Sequence, residues 1–266
     1  MEKVTLLGTA GAVTDRQRDN VSLVFSAQEA GEASVFHVLI ECGGSAAHKL
    51  ATLGIPYETL TDLIITHTHL DHLYGLPGLV FSIRYKDLDR TAALRIYCPE
   101  DAEQIIGALL DFFELREDLF FPIEIYGIPS QEDSLVLENA QVRITSTPVN
   151  HAPKIPTHAI KIFSKTSGKS VVYSSDTTYS EQLIRFAQGV DLLFHECAGL
   201  NGQPVPDVHS TALQVGKVAQ QSNVKQLVLL HLDTALNNDP ARILDEVHQH
   251  FTGHAVVGSD FDDYVL

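Results

Sequence analysis

The sequence predicts an α/β fold in which two sheets are sandwiched between helices. A chain of 266 residues is long enough for one large domain, or two small ones, with a substantial core. Its content of 44% apolar and 20% charged residues is ordinary for a globular protein. Strand patterns with interspersed helical patterns occur in both halves of the chain. Because no linker or low-complexity tract divides it, we expect residues 1–266 to form a single domain.

The first half of the chain begins with short runs of β-branched or alternating apolar residues between Gly, Asp and Glu clusters, which are typical of strands. The apolar run Leu63-Ile64-Ile65 predicts a buried strand, and the polar segment 66–72 follows it directly. The elements predicted here are strands at 4–7, 21–25, 38–40, 63–65, 94–97 and 121–126, and helices at 45–53, 73–84 and 100–113.

The second half first predicts two hairpins and then a strict alternation of helices and strands. One hairpin joins 134–138 to 141–147, and the other joins 159–163 to 170–173 across Ser167-Gly168. The elements that follow are helices at 180–188, 210–221 and 240–250, and strands at 192–194, 227–230 and 255–257.

The charge balance disfavours a long nucleic acid as the partner. The chain has 34 acidic and 18 basic residues, a formal net charge of −16, whereas proteins that bind a phosphate backbone usually carry a basic surface. The densest basic stretch is Arg84, Lys86 and Arg90, which Asp87 and Asp89 interrupt. A local basic patch built by the fold stays open as an alternative.

The cysteines and the apolar segments predict a cytoplasmic protein with no membrane partner. Cys42, Cys98 and Cys197 are odd in number and far apart, which argues against a disulfide framework and fits a reducing compartment. The N-terminus enters a strand pattern without a signal-peptide layout. No apolar run has the length needed to span a bilayer.

The segment Thr66-His67-Thr68-His69-Leu70-Asp71-His72 is the strongest sign of chemistry. In an extended chain, residues two apart point the same way, so His67 and His69 can hold one metal ion. Where the chain turns into a helix, Asp71 and His72 point elsewhere and can hold a second. Imidazoles and carboxylates suit zinc, manganese or iron. The alternative is a polar loop of solvated histidines.

Other strand ends offer the ligands that one segment cannot supply. His151, Asp176 and His231 each come just past the C-terminal end of a predicted strand, where open α/β sheets place their sites. A single histidine in such a position is more often structural than a ligand. Together with the first motif, the three residues predict a metal site with two ions.

With these residues in place, the chain resembles the ribonuclease Z-like branch of the metallo-β-lactamase superfamily over nearly its whole length. The order H-x-H-x-D-H followed by spaced His, Asp and His is that of the superfamily's ligands. Further motifs of the branch are Leu7–Gly11 with Arg18-Asp19-Asn20, Ile40-Glu41-Cys42-Gly43-Gly44 with Glu41 where Asp is usual, Phe194-His195-Glu196-Cys197-Ala198, which departs at its last two positions, and His209-Ser210-Thr211. The resemblance implies the αββα sandwich of the metallo-β-lactamase type.

The resemblance also implies a ligand set and two divalent ions, zinc first and manganese or iron as alternatives. One ion would be held by His67, His69 and His151. The other would be held by Asp71, His72 and His231, with Asp176 bridging the two.

The catalytic roles that follow belong to hydrolysis of a phosphodiester. Two ions about 3.5–4 Å apart can activate water and clamp the attacking and leaving oxygens. Asp71 could also take the proton of the nucleophile. His209 is the candidate general acid, and Glu196 could orient it.

The spacing of two ligands predicts a small substrate. Members of the branch that process transfer RNA carry a long arm between the ligands that match His151 and Asp176, which here are only 25 positions apart. We therefore expect a small phosphodiester, first of all a cyclic nucleotide. The alternatives are a transfer RNA 3′-processing endonuclease, another metal hydrolase of lactones, thioesters or sulfate esters, and a ligand binder without catalysis. The resemblance implies a homodimer.

Overall fold

The computed structural model describes residues 2–28, 35–86, 89–117, 121–233 and 239–266. In chain order, the strands of this part of the chain are β1 (Lys3–Gly8), β2 (Ser22–Gln28), β3 (Val35–Ile40), β4 (Asp62–Ile64), β5 (Leu94–Pro99), β6 (Ile123–Ile128), β7 (Ser134–Glu138), β8 (Val142–Val149), β9 (Thr157–Ser164), β10 (Ser170–Tyr173), β11 (Leu192–Cys197), β12 (Gln226–Leu232), β13 (His254–Val257) and β14 (Asp263–Val265). The α-helices are α1 (Ala46–Thr52), α2 (Leu70–Leu73), α3 (Leu76–Lys86), α4 (Glu103–Phe112), α5 (Glu181–Phe186), α6 (Ala212–Gln221) and α7 (Pro240–Val247).

The chain divides into two compact units, each built around one seven-stranded sheet. The first unit comprises Met1–Gly8, Asp19–Pro129 and Asp260–Leu266, and the second comprises Thr9–Arg18 and Ser130–Ser259. The short segment Thr9–Arg18 therefore belongs to a different unit from the residues on either side of it. That residues 1–266 act as one domain stays a prediction.

The sheet of the first unit brings the ends of its parallel strands to one edge. Its strand order is β14-β1-β2-β3-β4-β5-β6, antiparallel from β14 to β3 and parallel from β3 to β6. Consequently the loops that follow β3, β4 and β5 leave the sheet at the same edge. The core combines residues of the sheet with residues of α3 and α4, among them Leu39, Leu63, Ile96, Leu79, Ile83 and Ile106.

The sheet of the second unit has the order β13-β12-β11-β10-β9-β8-β7. It is antiparallel from β7 to β10 and parallel from β10 to β13. Its core joins sheet residues to residues of α5, α6 and α7, among them Val172, Leu193, Leu229, Leu183, Val215 and Ile243. Gly216 lets α6 approach α7 closely, since a Cβ there would lie 2.4 Å from the carbonyl oxygen of Val247.

The predicted elements agree with the structure except in a few places. Both predicted hairpins are confirmed as antiparallel pairs. The helix predicted at 73–84 begins only at Leu76, as α3, and the short helix α2 precedes it. The two helices separate at Gly75, where a Cβ would lie 2.7 Å from the carbonyl oxygen of Cys42. Strand β14 was not predicted, because Asp263-Tyr264-Val265 is not an apolar run like the one that predicted β4. Among the described residues, no helix is both long and apolar enough to cross a membrane.

Candidate metal centre

Residues 67–72 follow β4 and lead into α2, at the edge of the first sheet where parallel strands end. His67 is fully buried, and its Nε2 lies 3.1 Å from Nδ1 of His69. The two imidazoles thus point to the same place, as expected of residues two apart in an extended segment. In α2, Oδ2 of Asp71 lies 3.5 Å from Nε2 of His72. We refer to these four side chains as the first cluster.

Glu41 supports the first cluster from the end of β3. Its carboxylate is fully buried and accepts hydrogen bonds from the backbone N–H and the hydroxyl of Thr66. The same carboxylate lies 3.1 Å from Nδ1 of His72. A carboxylate at Nδ1 orients the ring and leaves Nε2 as the nitrogen that can bind a metal.

The backbone of the β3–α1 turn holds α2 in place. The N–H of Cys42 donates to the carbonyl of His72 at 2.8 Å, and the N–H of Gly75 donates to the carbonyl of Cys42 at 2.8 Å. Gly43 allows this approach, because a Cβ there would lie 1.9 Å from the carbonyl oxygen of Asp71. Cys42 is itself buried, and burial raises the pKa of its thiol, so it is a neutral packing residue rather than a thiolate ligand.

Three residues of the second unit form a second cluster around a buried carboxylate. Oδ2 of Asp176 lies 3.8 Å from Nε2 of His151 and 3.2 Å from Nε2 of His231. His151 donates from Nδ1 to the carbonyl of Val208 at 2.9 Å, so its Nε2 is the nitrogen that faces Asp176. One carboxylate oxygen of Asp176 therefore lies close to both imidazoles.

His231 differs from the sequence analysis in its place along the strand. It was expected just past a strand end, but β12 continues to Leu232 because Leu232 still pairs with Cys197 of β11. His231 has a φ of 53°, in the left-handed region that a non-glycine residue seldom adopts. The register between β11 and β12 also shifts next to this point.

Glu196 ties His209 to the loop that carries Asp176. Oε1 of Glu196 lies 3.0 Å from Nδ1 of His209 and accepts hydrogen bonds from the N–H groups of Thr177 and Ser210. The ring of His209 stacks on that of His231, with centroids 5.5 Å apart. His209 therefore lies beside the second cluster, with Nδ1 facing a carboxylate.

The donor sets of both units fit divalent metal ions. In the first unit, ligand atoms of Glu41, His67 and His72 all lie within 4.8 Å of one another. In the second unit, ligand atoms of Asp176, His209 and His231 also lie within 4.8 Å of one another. Imidazole nitrogens beside carboxylate oxygens are the ligands that zinc, manganese and iron prefer.

Sequence reasoning missed three supporting groups. The role of Glu41 has a sequence signal, because an acidic residue at the end of a parallel strand obeys the rule that singled out Asp176. Gly11 belongs to a noted motif, but nothing in that motif indicates its contact with His231. The carbonyl of Val208 has no signal at all, since every residue has a carbonyl.

Known proteins are similar to this chain in structure or in sequence over nearly its whole length. The metallo-β-lactamase fold protein YhfI from Bacillus subtilis has a TM-score of 0.79 and 21% identity, covering 99% of this chain and 98% of its own. The short form of human tRNase Z, ELAC1, has a TM-score of 0.77 and 20% identity, with 98% of both chains covered. The ribonuclease Z of Methanothermobacter thermautotrophicus is 27% identical over 298 residues, which span 94% of this chain and 92% of that protein.

These likenesses and the two clusters define a protein of the ribonuclease Z-like branch of the metallo-β-lactamase superfamily. The predicted α/β fold class is confirmed, and so is the predicted class of enzyme, a metal-dependent phosphodiester hydrolase. A family model described as the anti-Pycsar protein Apyc1 matches residues 2–251. The chain therefore belongs to the family of the anti-Pycsar protein Apyc1.

Proposed function

We propose that this protein is a dinuclear metal-dependent phosphodiesterase whose substrates are small phosphodiesters, first of all cyclic nucleotides. The segment between His151 and Asp176 is the observation that carries the proposal. Strands β9 and β10 fill it as a hairpin, closed by a hydrogen bond from the N–H of Ser164 to the carbonyl of Lys169. This segment therefore holds no arm that could grip the body of a transfer RNA.

The charge of the chain supports the same substrate class. A net charge of −16 repels a polyanion at distances up to the Debye length of about 8 Å at physiological salt. A cyclic mononucleotide carries a single negative charge, so the same repulsion acts on it far less.

We assign the metal ligands as the family resemblance implies. One ion would be bound by His67, His69 and His151, the other by Asp71, His72 and His231, and Asp176 would bridge them. Two features of the separate clusters support this assignment. His72 and His151 each have Nδ1 directed at an oxygen and Nε2 directed at a carboxylate, and Asp176 has one oxygen close to both His151 and His231.

When bound, two divalent ions would polarise the phosphodiester and lower the pKa of water towards ~7. The chain supplies the proton transfers. Asp71 accepts the proton of the attacking water. His209 donates a proton from Nε2 to the leaving oxygen, because Nδ1 is directed at Glu196. Glu196 keeps the ring in this orientation.

A second candidate function is transfer RNA 3′ processing. It is favoured by the curated relatives named ribonuclease Z, which the chain matches over most of their length. The two candidates differ in substrate size and not in chemistry.

A substrate panel separates the two candidates. Purified, zinc-loaded protein is assayed on cyclic mononucleotides, bis-p-nitrophenyl phosphate and precursor transfer RNA. We expect a higher kcat/KM on at least one cyclic mononucleotide than on the precursor, and weak RNA binding at physiological salt. Specific cleavage next to the acceptor stem, faster than turnover of every cyclic nucleotide tested, would reverse the assignment.

Metal analysis tests the ligand assignment. We expect two ions per chain in the wild-type protein after zinc loading and fewer in Asp176→Asn, because the proposed bridge loses its charge. Glu181→Gln, at an exposed position on α5, is the matched control and keeps two. A wild-type protein that binds a single ion would contradict the dinuclear centre.

A further inference from the structure

We propose that Thr9, Gly11 and Arg18 are positioning residues that fix the imidazole of His231 for metal binding. The proposal rests on the proposed function only in taking His231 as a metal ligand. All four residues belong to the second unit, which the segment Thr9–Arg18 joins. No side chain of this segment needs to touch the metal for the segment to matter.

The backbone of His231 needs outside support. A φ of 53° is unfavourable for a residue with a side chain, and such a conformation persists only where the surroundings enforce it. At the end of β12 the register with β11 shifts, so that Glu196 pairs with Leu230 and Cys197 with Leu232. A further element, in addition to β11, holds Leu232.

The segment Thr9–Gly11 provides that support through the backbone. The N–H of Leu232 donates to the carbonyl of Thr9 at 3.0 Å, and the N–H of Gly11 donates to the carbonyl of Leu232 at 3.0 Å. Ala10 and Leu232 thus form a parallel bridge. Both polar backbone groups of the residue that follows His231 are bonded to one short segment.

Arg18 closes this arrangement into a ring of hydrogen bonds. Its guanidinium is buried and donates to the hydroxyl of Thr9 at 2.6 Å and to the carbonyl of Gly258. The N–H of Gly258 donates in turn to the carbonyl of Leu229 at 2.9 Å. These hydrogen bonds form a circuit from Leu229 through Gly258, Arg18 and Thr9 to Leu232, and so connect the backbone before His231 to the backbone after it. We call this circuit the N-terminal clamp.

Gly11 sets the position of the ring itself. A Cβ on Gly11 would lie 3.1 Å from Cε1 and 3.2 Å from Nδ1 of His231, which is closer than an ordinary carbon contact. The φ of Gly11 is outside the left-handed region, so alanine could adopt the same backbone without strain. Glycine is needed here for the space that it leaves to the imidazole.

The substitution Gly11→Ala therefore displaces the imidazole without changing any ligand. The full chain, first stripped of metal, is titrated with Zn²⁺ in competition with a chromophoric chelator. We expect one of the two binding steps to weaken about 10-fold, as is typical when a supporting residue of a metal ligand is changed. The other step keeps its wild-type affinity.

The matched control is Gly78→Ala. Gly78 lies in α3, a Cβ there meets nothing within 4 Å, and its φ is outside the left-handed region. We expect both binding steps of this variant to equal those of the wild type. A Gly11→Ala protein whose two steps both match the wild type, or both weaken equally, would overturn the proposal.

A second pair of variants tests the clamp without adding atoms near the ring. Thr9→Val removes the hydroxyl that Arg18 contacts, and Thr9→Ser keeps it. We expect Thr9→Val to weaken the same Zn²⁺ step as Gly11→Ala, and Thr9→Ser to restore it. Equal Zn²⁺ affinities for Thr9→Val and Thr9→Ser would contradict the role of Arg18. This pair also decides the question if Gly11→Ala does not fold.

The Zn²⁺ titrations test the N-terminal clamp separately from the substrate assays that test the proposed function. If the wild type hydrolyses no cyclic nucleotide, the substrate assignment fails, but the Zn²⁺ titration still compares the variants. If the wild type binds only one Zn²⁺, the dinuclear assignment fails. The clamp then predicts a weaker affinity of Gly11→Ala for that single ion.

Discussion

Three of the candidate histidines share one arrangement, in which Nδ1 faces an oxygen of the protein. The oxygen belongs to Glu41 for His72, to the carbonyl of Val208 for His151, and to Glu196 for His209. An oxygen at Nδ1 fixes both the tautomer and the orientation of a ring. Each ring therefore presents Nε2 as its reactive nitrogen.

His209→Ala should separate catalysis from metal binding. We expect the variant to keep its metal ions and to lose turnover of a cyclic mononucleotide by about 10²–10⁴-fold, the usual contribution of a general acid. The loss should be smaller on bis-p-nitrophenyl phosphate, because p-nitrophenolate leaves without a proton. The exposed His254 of β13 is the control, and His254→Ala should retain wild-type rates on both substrates. Equal losses on the two substrates would point to a binding role for His209.

Two buried histidines outside the candidate ligand set should make stability depend on pH. Burial lowers the pKa of His158 and of His195 to about 4. In the unfolded chain these rings titrate near 6.5. Between these values the unfolded chain binds protons that the folded chain does not, so stability is full above about pH 6.5 and falls as the pH approaches 4. Between pH 7 and pH 5, each ring should lower the free energy of unfolding by about 2 kcal/mol.

Urea unfolding at pH 7 and pH 5 measures this effect. In His195→Asn, which keeps an N–H donor for the carbonyl of Glu196, the difference between the two pH values should shrink by about 2 kcal/mol. His254→Asn, at an exposed position, should retain the full wild-type difference. An unchanged difference in His195→Asn would show that this ring does not cause the pH dependence.

At the scale of elements, the first cluster depends on how closely two backbones approach. The turn after β3 lies against α2, and Gly43 and Gly75 leave room for the carbonyl oxygens of the other segment. Gly44 adds a φ of 59° and space for the carboxylate of Asp19, which accepts the N–H of Ser45. Gly43, Gly44 and Gly75 therefore help to position Asp71 and His72, although a glycine has no side chain that could contact a ligand.

Gly43→Ala should disturb α2 and with it the ligands in that helix. A Cβ 1.9 Å from the carbonyl oxygen of Asp71 cannot be accommodated unless one backbone moves. We expect a loss of roughly 1–3 kcal/mol in the free energy of unfolding, as for other overpacked sites, and a lower zinc content. Gly78→Ala is again the control and should be neutral or slightly stabilising, because alanine favours a helix. Wild-type stability together with wild-type zinc content in Gly43→Ala would contradict this account of the turn.

At the scale of the whole molecule, the strong negative charge makes self-association depend on a face with few carboxylates. A cavity of about 520 Å³ lies between α1 and α3, and its lining, which includes Ala47, Ala51, Tyr74, Gly78 and Ser82, contains no acidic residue. On the same helix, the rings of Phe81 and Tyr85 are 54% and 63% exposed. One helix thus carries projecting rings and borders a cavity. A two-fold symmetric interface brings the same surface of both subunits together, so such a helix would offer rings and a cavity to its partner copy.

If the predicted homodimer forms through this face, Phe81→Glu should dissociate it. The new carboxylate would be buried against a second acidic chain, which favours the monomer. Size-exclusion chromatography with light scattering measures the mass over a range of concentrations. Phe163→Glu, on an exposed position of β9, is the control and should leave the mass unchanged. A wild-type protein that is monomeric at every concentration would refute the predicted dimer.

The sequence by itself determined the fold class and the identity of the candidate ligands. The first cluster lies within six consecutive residues after a strand, and a local period is enough to orient such residues. Most strands and helices were likewise visible because they are long enough to show a period. The short β14 was not, because it depends on pairing with the distant β1. At the start of α3 the sequence showed an irregularity at Gly75, Pro77 and Gly78, but not the residue at which the helix begins.

Only the tertiary structure decided how the candidate ligands are held. His72 is directed by Glu41, His151 by the carbonyl of Val208, and His231 by the clamp that reaches back to Thr9. Each of these partners lies far along the chain from the histidine that it directs. Two of the contacts use backbone atoms, which every residue has. A sequence pattern records side-chain type and spacing, whereas such contacts arise only once the sheets have brought distant backbones together.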